Sequence, residues 1–219
     1  MEVFLEDRVI FIIEVVATMA FAISGIRLAA AKDFDWFGAY TVGLITAIGG
    51  GTLRDVLLDT PVFWMSNTLY ISVTGISMLV VVLFRKNLVR LDNTFFTFDT
   101  IGLALYVVIG VQKSVMLGHP MWVAIILGTI TGTVGSVLRD ILINEPPLMF
   151  RKDIYATACI AGGMMYWLAG LMSLGLAFQQ ILCFVTVVVI RFLALIYNWS
   201  MPTMPINEHH HINNRNENT

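Results

Sequence analysis

Charge is what this sequence has least of. Of its 219 residues, 13% are Asp, Glu, Lys or Arg, against about a quarter in an ordinary soluble domain. Most of the surface must therefore face something other than water. No Lys/Arg-rich run occurs and the net charge is −2, which leaves a nucleic-acid partner without the basic footprint it requires. Cysteine is scarce: Cys159 and Cys183 both lie in apolar stretches, with no histidine or second cysteine at ligand spacing, and read as free thiols packed among helices. Enzyme motifs are missing. There is no G-x-x-x-x-G-K-[ST], which argues against nucleotide-driven pumping by this chain. Neither a Ser/His nor a paired-Asp protease arrangement emerges, and the one histidine outside the C-terminal tail is His119, in a loop. The reading is not an enzyme, with no catalytic residues, no cofactor and no resident metal. The start MEVFLEDR is acidic; a secretory signal needs a basic start, so the first apolar segment is expected to stay as a helix.

What is abundant is long apolar runs. Hydrophobic residues make up 58% of the chain, and a spanning helix needs about 20 of them in succession. Seven segments qualify: 9–29, 36–58, 66–84, 95–116, 121–143, 154–173 and 175–198. Short polar connections predict a single transmembrane domain over 1–201, followed by a polar, Asn-rich, disordered tail over 202–219. In that tail His209, His210 and His211 offer at most adventitious metal binding. Basic residues set the orientation. Arg8 and Lys113 lie on the N-terminal side; Arg27, Lys32, Arg85, Lys86, Arg90, Arg151, Lys152 and Arg215 lie on the other, two against eight. The N-terminus is expected outside and the C-terminus in the cytoplasm.

A shift of 85 residues aligns the chain with itself. AYTVGLITAIGGGTLRDVLLDTP at 39–61 and AIILGTITGTVGSVLRDILINEP at 124–146 are identical at ten of 23 positions, where chance in apolar sequence gives roughly two. The same register pairs Gly25 with Gly110, Tyr70 with Tyr155, and the acids Glu14 and Asp99. Each repeat (about 9–84 and 95–173) holds three helices, an odd number, so the second copy enters the membrane from the opposite face. Inverted repeats of this kind place a conduction or substrate site near the midplane between them. The helix at 175–198 lies outside the repeat and braces the bundle.

Several residues in this frame bear chemistry. Gly49, Gly50 and Gly51 stand in succession in the second helix, at a cost of roughly 3 kcal/mol of helix propensity. The fifth helix has a milder equivalent in Gly128, Gly132, Gly135 and Ser136. One reading is a pair of kinked, broken helices whose freed carbonyls line an ion path; the other is close helix packing through small residues. The path reading is favoured at the triple glycine, because packing needs small residues on one face only. Thr46 and Thr131, in register one turn earlier, either offer oxygens to a dehydrated cation or bond back to their own helix. Arg54–Asp55 and Arg139–Asp140 recur behind the glycines. Adjacent residues point to different helix faces, so neither pair is expected to be a self-contained salt bridge. Depth predicts two clusters, Glu14, Arg54 and Asp55 at the outer end and Asp99, Arg139, Asp140 and Arg191 at the cytoplasmic end. They serve as gates or selectivity rings, or as structural ion pairs. Tyr70, Tyr155, Trp36, Trp64, Trp122 and Trp199 fall near segment ends and read as interface anchors.

The run GGGTLRD at 49–55, its weaker copy GSVLRD at 135–140 and the three-plus-three-plus-one layout resemble the prokaryotic TRIC-type (trimeric intracellular cation) channels, to which a bacterial glycine-transporter-like family is related. The resemblance covers residues from about 10 to 198. It implies a homotrimer in a bacterial or archaeal plasma (inner) membrane, surrounded by lipid, with an hourglass pore in each subunit conducting monovalent cations, chiefly potassium. The family's pore-lining kinks carry over to Gly49, Gly50 and Gly51, and to Gly135 and Ser136. Val134 and Ser136 replace the outer two glycines of the second motif, so the fifth helix is expected to kink less. Inverted repeats and broken helices suit a secondary transporter as readily. The alternative is a carrier for a small amino acid such as glycine, its carboxylate at a half-helix N-terminus and its ammonium on loose carbonyls.

Overall fold

The computed structural model describes residues 2–84, 94–151 and 153–202. Arg85, Lys86, Arg90, Lys152, Arg215 and the tail histidines lie outside the described residues. Among the described residues seven long helices follow in order: α1 Glu2–Ala31, α2 Trp36–Leu57, α3 Leu69–Leu83, α4 Thr94–Met116, α5 Met121–Leu142, α6 Ala156–Leu171 and α7 Leu176–Ile196. The protein is an all-α membrane protein built as two inverted three-helix repeats, α1–α3 and α4–α6, with α7 added. On the outside, Ile12, Leu79, Leu83, Ile126, Trp167, Phe178 and Ile181 are exposed, an apolar coat that only lipid can solvate favourably.

Local chemistry sets the helix ends. Asp35 caps α2 by accepting from the Gly38 N–H at 2.7 Å, satisfying one of the free donors of a first helical turn. Both α2 and α5 close on the same turn. Asp59 and its repeat mate Asn144 take left-handed φ of 51° and 56°. The next N–H, of Thr60 or Glu145, then reaches back to the carbonyl of Asp55 at 2.9 Å or of Asp140 at 2.8 Å. Asp and Asn tolerate that conformation better than other side-chain-bearing residues, and the back-bond uses a carbonyl the helix leaves free.

Two helices are shorter than the apolar runs that announce them. α3 has 15 residues and α6 has 16, about 22–24 Å at 1.5 Å per residue, less than the roughly 30 Å hydrocarbon layer. The missing length is spent in the approach: Phe63–Ser66 forms a separate helical turn before α3, and Leu148–Phe150 a 3₁₀ turn before α6. These turns fold back over the ends of α2 and α5, and both reappear below.

The interior is the meeting of α1, α2, α4 and α5. Glycines let these helices touch backbone to backbone. A methyl on Gly25 would meet Thr46 Oγ1 at 2.5 Å, and one on its repeat mate Gly110 would meet Thr131 Oγ1 at 2.6 Å. The same close crossing therefore joins α1 to α2 and α4 to α5. Phe21 and Tyr106, another repeat pair, pack ring against ring at 5.3 Å in the core.

Candidate functional site

At the centre α2 crosses α5. A methyl on Gly50 would overlap the Thr131 carbonyl, and one on Gly135 would overlap the Thr46 carbonyl. The two overlaps are mirror images under the 85-residue shift. The expected unwound backbone is absent from both helices: helical bonding runs through Gly49–Gly51 in α2 and through Gly135–Ser136 in α5. Gly50 and Gly135 serve the close crossing, each lying against a carbonyl of the opposing helix, that of Thr131 and that of Thr46. With no break there is no half-helix N-terminus at mid-depth, so that way of holding a carboxylate is lost.

The other residues assigned to the path are each accounted for. Gly49 faces Leu138 of α5 and Gly51 lies under the Phe63 ring, while Gly132 faces Val107 and Leu103 of α4, away from the crossing. Thr46 and Thr131 are buried and donate to their own helices, to the Val42 carbonyl at 2.6 Å and the Leu127 carbonyl at 2.5 Å. Ser136 Oγ donates to the Thr133 carbonyl and accepts from Tyr155 Oη, both at 2.7 Å.

Around the crossing the structure gathers all seven charged residues into two clusters. In the first, the Arg54 side chain is fully buried; its Nε donates to Asp55 Oδ1 at 2.7 Å and its Nη2 stands 3.6 Å from Glu14 Oε1. Tyr70 Oη donates to Glu14 Oε2 at 2.7 Å, and Lys113 Nζ to Asp55 Oδ1 at 2.8 Å. In the second, the equally buried Arg139 donates through Nε to Asp140 Oδ1 at 2.8 Å. Its Nη1 reaches Asp99 Oδ1 at 2.6 Å and Ser24 Oγ at 2.9 Å. Arg191 Nη2 meets the other Asp99 oxygen at 3.3 Å, and its guanidinium lies over the rings of Phe96 and Tyr155. Glu14 and Ser24, both on α1, are ten residues apart, which separates the clusters by about 15 Å.

The adjacent Arg and Asp bond directly, but neither pair is self-contained, as the helical-wheel reading expects. The arginine stem is long enough to curl back to its neighbour, and only the Cβ directions diverge. Neither pair stands alone, because each arginine also faces an acid on another helix, α1 or α4. Each cluster carries two cations and two anions. This pairing is what permits burial, since an uncompensated charge in low dielectric costs several kcal/mol. The second oxygen of each aspartate does a further job. Asp55 Oδ2 accepts from the Phe63 N–H and Asp140 Oδ2 from the Leu148 N–H, both at 2.9 Å. Residues 63 and 148 are repeat mates, so each cluster pins its fold-back turn across a helix end.

Sequence reasoning missed four participants. Tyr70 and Tyr155 are buried and hydrogen-bonded and are not interface anchors; Trp36, Trp122 and Trp199 are exposed as anchors would be. Lys113 was weighed only as an orientation charge, though it sits at the level of Asp55. Tyr106 Oη donates to the Ala47 carbonyl at 2.6 Å and pairs with Thr18 Oγ1 at 2.9 Å; the 85-residue register, which sets Tyr106 against Phe21, is the signal that could have found it.

Comparison with known proteins agrees with this architecture. The family model described as "Glycine transporter" matches residues 11–86 and 96–170, one stretch for each repeat. A UPF0126 membrane protein of Vibrio cholerae is 36% identical over 207 residues, 94% of this chain and 87% of the relative. The UPF0126 inner membrane protein YadS of Escherichia coli is 37% identical over 203 residues, 91% and 98% of the two chains. Among solved structures, the TRIC trimeric intracellular cation channel orthologue from Rhodobacter sphaeroides shares the fold with a TM-score of 0.82 at 27% identity, over 87% of this chain and 98% of that one.

Proposed function

Since the chain belongs to the Glycine transporter family of membrane proteins, we propose that it conducts monovalent cations, chiefly potassium, down their gradient, through one path in each subunit of a homotrimer. The observation that carries this reading is the α2–α5 crossing at Gly50 and Gly135, set between two charge-balanced clusters, in a fold shared with a trimeric cation channel. In the conformation described the crossing is closed. Conduction then requires α2 and α5 to part where glycine keeps their surfaces smooth, exposing the Thr46 and Thr131 carbonyls that each helix now covers. The clusters act as the two gates of that path. In this reading the chain sits in the plasma (inner) membrane with its N-terminus outside, and the Glu14–Arg54–Asp55 cluster faces outward.

Purified protein in planar bilayers under a potassium gradient tests the proposal. Unitary currents that reverse at the potassium potential are expected. Saturable uptake with counterflow and no unitary current would instead identify a carrier for a small amino acid. Charge reversal at Arg54 or Arg139 that leaves currents unchanged in folded protein would remove the gating role.

A further inference from the structure

The two repeats part company at one groove. Between α1, α2 and α3 lies a recess of about 240 Å³, with apolar walls that include Ile26, Ala39, Met78, Val81 and Val82. Its polar lining sits where α1 turns into α2 and consists of Arg27, Asp33 and Asp35, with Trp36 beside them. The 85-residue shift carries this groove onto the second repeat, where α7 covers it. Gln112, the mate of Arg27, is buried and accepts from Gln180 of α7 at 2.6 Å; Tyr166, the mate of Val81, is buried as well. Among the described residues no helix does the same for the first repeat. The chemistry diverges along with the cover. The mates of Asp33 and Asp35 are Gly118 and Pro120, so the open groove holds one guanidinium and two carboxylates at positions that carry no charge in the covered copy.

What fills the open groove must be apolar along the walls. At the polar end it must offer an anion to Arg27 and a cation to the two aspartates. A phospholipid with an amine headgroup meets all three demands. We propose that this groove binds one phosphatidylethanolamine molecule, an acyl chain along Ile26, Met78 and Val81, its phosphate at Arg27 and its ammonium at Asp33 and Asp35. Asp35 spends Oδ1 on the Gly38 N–H, which leaves Oδ2 for the headgroup. Phosphatidylglycerol brings the anion without the cation and meets two carboxylates. Phosphatidylcholine brings both charges, but its quaternary ammonium has no N–H for the charge-assisted hydrogen bonds that a carboxylate accepts. Trp36, 68% exposed, marks the headgroup depth where tryptophan rings gather. The groove lies on the outer surface of the bundle and does not rest on the conduction reading.

Native mass spectrometry of the purified full chain, washed in detergent and titrated with the dioleoyl forms of the three lipids, tests the proposal. One phosphatidylethanolamine retained per chain is expected, with the other two lipids held about fivefold more weakly or worse. Arg27→Gln and Asp33→Gly give the first repeat the residues of the second. Glycine suits the left-handed φ of 58° at Asp33, so that variant is expected to fold. Each substitution should erase most of the headgroup preference. Val81→Tyr, which copies Tyr166, should lower retention of all three lipids alike. The lipid series needs only the natural protein, so it decides the matter even where a variant misfolds. A second copy of the chain is the rival occupant. A benzophenone photocross-linker placed at Val82, which is 38% exposed, is expected to give lipid adducts. A chain-to-chain adduct there, no retained lipid, equal retention of the three lipids, or full preference in both folded headgroup variants overturns the proposal.

Discussion

Arg139 and Asp99 close on each other at 2.6 Å, whereas their repeat mates Arg54 and Glu14 stand 3.6 Å apart. The inverted copies therefore carry one tight ion pair and one slack one. In the first cluster Tyr70 holds the other Glu14 oxygen and Lys113 joins Asp55; in the second, Arg191 joins Asp99 from the additional helix.

The two acids should therefore differ under neutralisation. Asp99→Asn leaves two buried guanidiniums facing one remaining carboxylate, a loss of about 3–5 kcal/mol. Glu14→Gln keeps an acceptor for Tyr70 and gives up a long contact, a loss of about 1 kcal/mol. Thermal unfolding of the two purified variants checks the order; an equal fall in midpoint would show that the slack pair is tight in the membrane.

The central crossing makes a sharper prediction. At Gly50 and Gly135 an added methyl runs into a backbone carbonyl of the opposing helix, which cannot step aside as a flexible side chain can. Gly50→Ala or Gly135→Ala should hold α2 away from α5, lower the yield and melting midpoint of folded protein, and raise open probability in the protein that does fold. Gly75 in α3 has nothing within 4 Å of the same position. Gly75→Ala should raise stability by about 0.5–1 kcal/mol, the ordinary helix-propensity gain. Expression, melting midpoint and conductance of the three variants decide it.

Thr46 offers a test of the ion-oxygen reading. Its hydroxyl donates to Val42 on its own helix and lies against Gly25 of α1. Thr46→Val keeps that shape. Unitary conductance is expected to stay within about twofold of the natural protein, a barrier change of less than about 0.5 kcal/mol. A collapse in conductance would restore the hydroxyl as a ligand for the ion.

Much of this was legible in the sequence. The 85-residue register pairs Glu14 with Asp99, Arg54 with Arg139 and Asp55 with Asp140, and depth adds Arg191, because an intramembrane charge must find a partner at its own depth; Lys113 has no charged mate in that register and escapes it. The role of the glycines was not legible. Helix propensity records what Gly49–Gly51 cost their own helix and is silent about a carbonyl arriving from α5, which only the fold reveals. Tyr70 and Tyr155 were misjudged because α3 starts at Leu69 and α6 at Ala156, later than the apolar runs, so residues near segment ends lie inside, under the fold-back turns. The Arg–Asp bonds were missed because helical-wheel reasoning tracks Cβ directions and ignores the reach of a guanidinium.

A surface link gives the pH dependence. Lys32 Nζ and Glu145 Oε1 join the α1–α2 turn to the α5–α6 connection. The hydrogen bond from Lys32, and then its charge, hold the Glu145 carboxyl below its ordinary value. A depressed carboxylate contributes stability above its unfolded pKa and loses it as pH falls through the folded one. A small acid-side fall in melting midpoint is therefore expected. Because both groups are exposed, high salt at neutral pH should imitate it. Glu145→Gln should remove the acid-side component; an unchanged pH profile in that variant would assign the fall to other groups.

Tyr106 is where the two repeats are chemically least alike at the centre. Its mate Phe21 has no hydroxyl, while Tyr106 Oη ties α4 to the Ala47 carbonyl of α2, two residues before the triple glycine, and to Thr18 of α1. Tyr106→Phe keeps the ring contact and removes that tie. It strands the Thr18 hydroxyl, at about 1 kcal/mol. If α2 must part from α5 for ions to pass, a helix released from α4 parts more readily. The variant should therefore be slightly less stable and open more often. Single-channel recording that finds lower or unchanged open probability, at unchanged unitary conductance, would show that the tie at Ala47 does not restrain the opening motion.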